Sequence, residues 1–241
     1  MLTRRRFGTG ALAALAGAAA GGIGLAGCAG PSHGLRYRLR LDVETPEGLK
    51  TGASVISLSV RHITAIDVGG SYPREIRGEA IAVDLGPRGV LFALLSPDSQ
   101  RKSSQSAENI AQAALGFKGG NETLLPWIDA AQAQKTKADL SPDILPMLVR
   151  FRDINDPKTV ERVDPNNLAA AFGQGVRLAR ASIEITNDPV TTGIEKKIGW
   201  WFAQAKPPYD PPELRYPNKS PRGYGTLSVL DFIQGLPWRQ K

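Results

Sequence analysis

The sequence predicts a single α+β domain built on a mostly antiparallel, strongly curved sheet of about seven or eight strands, with one or two helices packed against it. Three observations carry this expectation. Residues 35–44 are apolar at every odd position and charged at every even one, the period-two mark of a half-buried strand. Further strand-like stretches, punctuated by turn residues, follow before any helical periodicity begins. Near the end, residues 206–225 gather six of the 18 prolines, which excludes helix and central strand and predicts an extended arm.

Taken in order, residues 35–44 form the first strand, and Thr45-Pro46-Glu47-Gly48 supplies a turn. The second strand covers 54–61, with Ile56, Leu58 and Val60 on one face. A third runs over 79–85. The turn Gly86-Pro87-Arg88-Gly89 leads to a fourth at 90–95, whose unbroken apolar run predicts burial on both faces. These four read as two consecutive hairpins. Helical spacing then covers 104–117, stopped by Gly119-Gly120, and a second short helix fits 126–135. Residues 147–152 and 159–163 give the fifth and sixth strands around an Asp/Asn/Pro turn. Asp164-Pro165 opens a brief helix ending near Gly173, with Asp as N-cap and Pro at the first helical position. The seventh strand is 176–186, where the alternation slips at Ala179-Arg180-Ala181 and predicts a bulge. The arm carries Tyr209, Tyr216 and Tyr224 as contact points, and 226–233 alternates weakly as a returning last strand.

The chain has 241 residues, with 30 Lys+Arg against 23 Asp+Glu, 2 His and 1 Cys. One cysteine cannot form an internal disulfide, and one Cys with two His cannot build a Cys/His zinc cage. At 41% hydrophobic and 22% charged residues, wholesale disorder is excluded. Residues 8–27 carry no charge but are rich in Ala and Gly, too poor in large apolar side chains for a stable membrane span. With Arg4, Arg5 and Arg6 before them, they read as a secretory signal over 1–27. Thr3-Arg4-Arg5-Arg6-Phe7 resembles the twin-arginine export motif, in which Arg4, Arg5 and Phe7 are the defining positions. Leu25-Ala26-Gly27-Cys28 resembles a bacterial lipobox. That resemblance implies cleavage before Cys28, acylation of its thiol, and a membrane-anchored product facing the periplasm. Ala29 in place of Asp points to the outer membrane. The expected organisation is a lipidated tether over 28–34, an α+β body over 35–205, and the arm and terminal strand over 206–241. Three of the arginines that make the chain basic (pI about 9.7) lie in the segment to be removed, so a nucleic-acid partner is not expected.

Chemical motifs are present but misplaced. Ser99-Gln100-Arg101-Lys102 and Lys50-Thr51-Gly52 match elements of penicillin-recognising enzymes, yet in reversed order and with Ser99 beside Pro97 in a loop. Asp153, Asn155 and Asp164 outline a calcium loop, but Pro157 and Lys158 stand where a ligand and the required Gly belong. His33 and His62 have no partner recognisable from spacing and read as surface residues. No cofactor and no metal site are expected. Arg36, Arg38 and Arg40 share one strand face, as do Arg150 and Arg152. They form either a landing surface for anionic lipid or polymer, or a solvated face that guards a sheet edge. Trp200-Trp201-Phe202 is the densest aromatic cluster, either core or a partner-binding patch. Around residues 153–157 and 188–195 the chain is similar to uncharacterised bacterial exported proteins, a similarity that implies no activity and no site. The sequence thus points to a non-catalytic, lipid-anchored envelope protein that binds a protein or polymer, an immunity-type inhibitor being one version. The alternative is an exported envelope-polymer hydrolase whose carboxylates are too scattered to recognise.

Overall fold

The computed structural model describes residues 29–65, 69–156, 159–204, 214–215, 226–227 and 229–235. The chain opens with two long strands, β1 (Ala29–Thr45) and β2 (Gly48–Ala65), paired from Thr45↔Gly48 to Ala29↔Ile63. Gly48 takes φ 112°, a left-handed value that a β-carbon resists, and the Thr45 hydroxyl donates to its carbonyl at 2.8 Å. The apolar positions of the first strand behave as the alternation requires: Leu35, Tyr37, Leu39, Leu41 and Val43 are all buried. Residues 29–34, expected as a tether, are instead strand. Backbone pairing with β2 needs no side-chain pattern, so the Gly/Pro/Ser composition misleads there.

After β3 (Gly69–Ser71) and β4 (Arg74–Glu79), the chain crosses to β5 (Ile81–Asp84) and β6 (Val90–Ala93). The expected third strand is thus split at Ala80, where the path leaves one sheet for another. A Cβ on Gly52 of β2 would lie 2.7 Å from the Ala82 carbonyl oxygen, so only glycine permits this approach of β5. Helices α1 (Ile110–Ala114) and α2 (Asn121–Gln134) follow, then β7 (Lys137–Asp139), β8 (Leu148–Phe151), β9 (Val160–Val163), α3 (Ala169–Phe172) and β10 (Arg177–Ile185). Beyond them lie α4 (Glu195–Gln204), β11 (Leu214–Arg215), β12 (Thr226–Leu227), α5 (Val229–Phe232) and β13 (Ile233–Gln234).

All pairings are antiparallel. A seven-stranded sheet runs β13-β4-β2-β1-β10-β7 with β3 beside β2; a four-stranded sheet runs β5-β6-β8-β9; β11 and β12 form a small ribbon. The class is α+β as expected, with two main sheets in place of one. Asp42 pairs with Arg180 but Val43 with Leu178, leaving Ala179 as the extra residue of a bulge where the alternation slips. Leu91 and Ala93 of β6 enter the larger core with α1 and α2, while Phe92 and Leu94 enter a second core with Phe151 and Phe232. This strand is buried on both faces, as its composition requires.

The first expected helix is cut to α1. Asn109 N–H turns back on the Ser106 carbonyl at 3.0 Å instead of reaching Gln105, so no helical ladder starts before Ser106, while the Gln105 and Ala107 N–H groups meet the Ile144 and Leu95 carbonyls at 3.1 and 2.8 Å. The second begins earlier, at Asn121, with Pro126 inside it. The helix after Asp164 is delayed to Ala169: Asp164 accepts from Asn166 N–H at 2.9 Å as a cap residue does, but Asn167 N–H closes a tight turn on the Asp164 carbonyl at 3.0 Å and the ladder starts only at the Leu168 carbonyl. Of the arm over 206–225, only Leu214–Arg215 lies within the described residues; Tyr209, Tyr216 and Tyr224 lie outside them. The return to the sheet occurs at Ile233↔Glu79 and Gln234↔Gly78, later than the expected strand over 226–233.

Candidate functional site

Strand β1 outlasts its neighbour. Its pairing with β10 ends at Tyr37↔Ile185, whereas pairing with β2 continues back to Ala29. On that flank the Arg36 carbonyl accepts from Thr186 N–H at 2.9 Å, the last rung on this side. The Arg36 N–H has no strand to meet and donates to the Gln132 side-chain carbonyl on α2 at 2.9 Å. Because strand residues two apart present their polar groups to the same side, Gly34 and Ser32 direct theirs toward the flank that β10 has left.

A groove of about 390 Å³ lies there, lined by Ser32, Gly34, Arg36, Ser57, Ser59, Gln132 and Asn187 with Leu35 beneath. The register places Arg36 opposite Ser57 and Gly34 opposite Ser59, so alternation puts both serines on the outward face. Ser32 and Ser59 hydroxyls are 2.5 Å apart. The Gln132 amide donates to the Asn187 side-chain oxygen at 2.7 Å, and the Arg36 guanidinium donates to the Asn187 and Asp188 carbonyls at 3.0 and 3.1 Å. The groove therefore offers hydroxyls, amides and edge backbone groups, with one cation already anchored at its end. Such a surface can donate and accept hydrogen bonds. Next to it, His33 Nδ1 lies 2.8 Å from the Asp129 carboxylate of α2, a partner that spacing did not reveal. His33 shares the inward face of Leu35, opposite the one that carries Ser32 and Ser59.

The arginines singled out by the sequence are engaged. Arg38 bonds to Glu184 at 3.3 Å and to Asp188; Arg40 bonds to Asp42 at 2.9 Å and Thr51 at 3.3 Å. Arg150 pairs with Glu161 at 2.9 Å, donates to the Ala171 carbonyl, and lies 5.4 Å over the Phe172 ring. Arg152 meets the same Glu161 at 2.8 Å. Both strand faces are laced by local ion pairs, the arrangement of a solvated face. Trp200 and Trp201 belong to α4 by their backbone, and their side chains lie outside the described residues, as do Cys28, Arg4, Arg5, Phe7 and Leu25.

The other motifs resolve into structure. Ser99 is exposed in a loop fastened by its neighbour Asp98, which accepts from Arg101 and Arg162. Thr51, on β2, donates to Asp42 at 2.6 Å. Asp153 accepts from Asn155 N–H at 2.9 Å in a turn, and His62 stacks on Tyr72 with ring centres 4.8 Å apart. Among the described residues no group of three or more His, Cys, Asp and Glu is placed to hold a metal ion, and no helix is long and apolar enough to cross a membrane.

No family model, curated protein or solved structure matches the chain. The groove residues Gln132 and Asn187 were missed by sequence reasoning, since nothing local marks them; Ser57 and Ser59 were legible only as the polar positions of an alternating strand.

Proposed function

We propose that the protein is an exported envelope protein, anchored through acylated Cys28, whose folded body binds an extended polypeptide segment in the groove beside β1. The twin-arginine and lipobox resemblances support export and anchoring. The observation that carries the binding role is the unpaired flank of β1 between Ala29 and Arg36. An extended peptide suits it because a strand's own N–H and C=O groups are spaced to meet those of Ser32 and Gly34. Gln132 already serves Arg36 as a neighbouring strand would. The role is binding, with no covalent step.

A photoreactive residue at Asn187 of the full chain tests this in intact envelopes. One discrete adduct is expected there, absent with the same residue at Glu161 in the other sheet. Ser57→Tyr, which fills the groove with a side chain that strands accept, should abolish the adduct and leave the melting temperature unchanged. No discrete adduct at Asn187, or one insensitive to Ser57→Tyr, overturns the assignment.

The rival reading, a hydrolase of envelope polymer, has the His33–Asp129 pair as its support. It expects His33→Asn to abolish turnover of a polymer substrate without loss of adduct formation.

A further inference from the structure

We infer that the end of the seven-stranded sheet nearest Cys28 rests on anionic phospholipid headgroups, with Arg61 and Arg74 binding their phosphates; this rests on the lipid-anchor reading above.

The chain leaves no slack between Cys28 and the sheet. β1 starts at Ala29, the residue after Cys28, so the anchor is joined to a paired strand with no spacer. Arg61 is opposite Ser32, four residues from Cys28, or about 13 Å at the usual strand rise. Arg74 is opposite Val60, one further residue from that end, on the other face of the sheet. Both are exposed, and among the described residues neither guanidinium has a hydrogen-bond or ion-pair partner. Every other arginine whose side chain is described donates to a carboxylate, a hydroxyl or a carbonyl. The two unpartnered ones thus flank the sheet end that the anchor would hold at the bilayer.

Length separates this site from the surface the sequence suggested. Arg40 lies twelve residues along β1 from Cys28, or roughly 40 Å if the strand stands upright, several screening lengths from the headgroups at physiological salt. Arg61 and Arg74, with their long flexible stems, lie within or next to the headgroup layer. Of the exposed carboxylates nearby, Glu75 is opposite Ser59 and so lies farther from the anchor than either arginine, and Asp129 is engaged at 2.8 Å by His33, the residue opposite Val60. Each basic residue near an anionic surface changes association by roughly fivefold, so two bias the body toward contact without replacing the lipid anchor.

The test uses the full acylated chain in vesicles that contain headgroup-spin-labelled lipid. A fluorophore is attached at Ser71→Cys, near the anchor end, or at Leu49→Cys, at the opposite end of the hairpin; native Cys28 is blocked by acylation. In vesicles of phosphatidylglycerol and phosphatidylcholine in equal parts, the Ser71 label should be quenched at least about threefold more than the Leu49 label. Arg61→Glu with Arg74→Glu should reduce quenching at Ser71 by about half or more in those vesicles and leave it unchanged in phosphatidylcholine alone. Equal quenching at the two positions, or no effect of charge reversal in acylated protein, overturns the inference while sparing the anchor. Intact mass measured on the same samples separates the two: a Cys28 without acyl chains sinks the anchor and this contact with it.

Discussion

Asp98 has no exposed side-chain surface and accepts from two guanidiniums, Arg101 at 2.9 Å and Arg162 at 2.7 Å. Burial pushes its carboxyl pKa up, but the hydrogen bonds from Arg101, Arg162 and Gln100 N–H outweigh that and hold it below the ordinary aspartate range. Its stabilisation is therefore present above the ordinary pKa and lost as the pH falls through the depressed folded-state value. Arg101 also donates to the carbonyls of Pro142, Asp143, Leu145 and Pro146, so the carboxylate fixes the donor that ties two loops together. Asp98→Ala should cost about 3–5 kcal/mol, read from the urea midpoint, because it leaves two partly buried cations uncompensated. An unchanged midpoint would contradict this role. Glu79 behaves oppositely. It is buried, and desolvation raises its pKa despite the Ile194 N–H donated to it at 3.0 Å, with nearby Glu195 adding to the rise. Its favourable contribution is complete below the ordinary glutamate pKa and is lost as the pH climbs through the raised value. Glu79→Gln keeps an acceptor for Ile194 and should melt higher than wild type at neutral pH, the difference vanishing in acid. A difference that persists unchanged in acid would place the effect elsewhere.

At the scale of elements, the C-terminal return is held by a few strong contacts. Phe232 is fully buried against Phe92 and Phe151, with ring centres 5.7 and 6.2 Å away. Its carbonyl accepts from Ala80 N–H at 2.7 Å, and β13 pairs with β4. Phe232→Ala should destabilise by about 3–5 kcal/mol and lower the melting temperature by roughly 10 °C, and removal of residues 206–241 should do at least as much. An unchanged melting curve for that truncation would mean the segment is not part of the folded body. These contacts also show where sequence is informative. Hydrophobic patterns placed the strand over 35–44 and the bulge at Ala179 by their alternation, and the two-sided burial of Phe92 and its neighbours by an unbroken apolar run, because side-chain burial is what such patterns record. They could not find the pairing of 29–34, β3 or β4, where Gly, Pro and Ser interrupt the alternation while the backbone pairs regardless. They overextended α1, since the helical spacing is real but the Asn109 N–H turns back on Ser106 instead of continuing a ladder from Gln105.

At the scale of the whole molecule, the groove arises from mismatched lengths: a long hairpin, a shorter β10, and a helix that fills part of the gap. No local spacing encodes it. Gln132 and Asn187 reach β1 from about a hundred and a hundred and fifty residues away in sequence, distances over which residue patterns carry no information. The proposed anchor, in contrast, rests on four adjacent residues, Leu25-Ala26-Gly27-Cys28, whose resemblance to a lipobox is local. Replacing Arg4 and Arg5 together by Lys should hold the chain in the cytoplasm, checked by fractionation, and export of that variant would exclude the twin-arginine route. The most direct measurement is the intact mass of the protein purified from membranes. The expected species is a polypeptide of residues 28–241 bearing acyl chains on Cys28, with both that mass and membrane association lost in Cys28→Ala. A membrane-bound protein with its first 27 residues retained, or a Cys28→Ala variant that fractionates with membranes as wild type does, would contradict it.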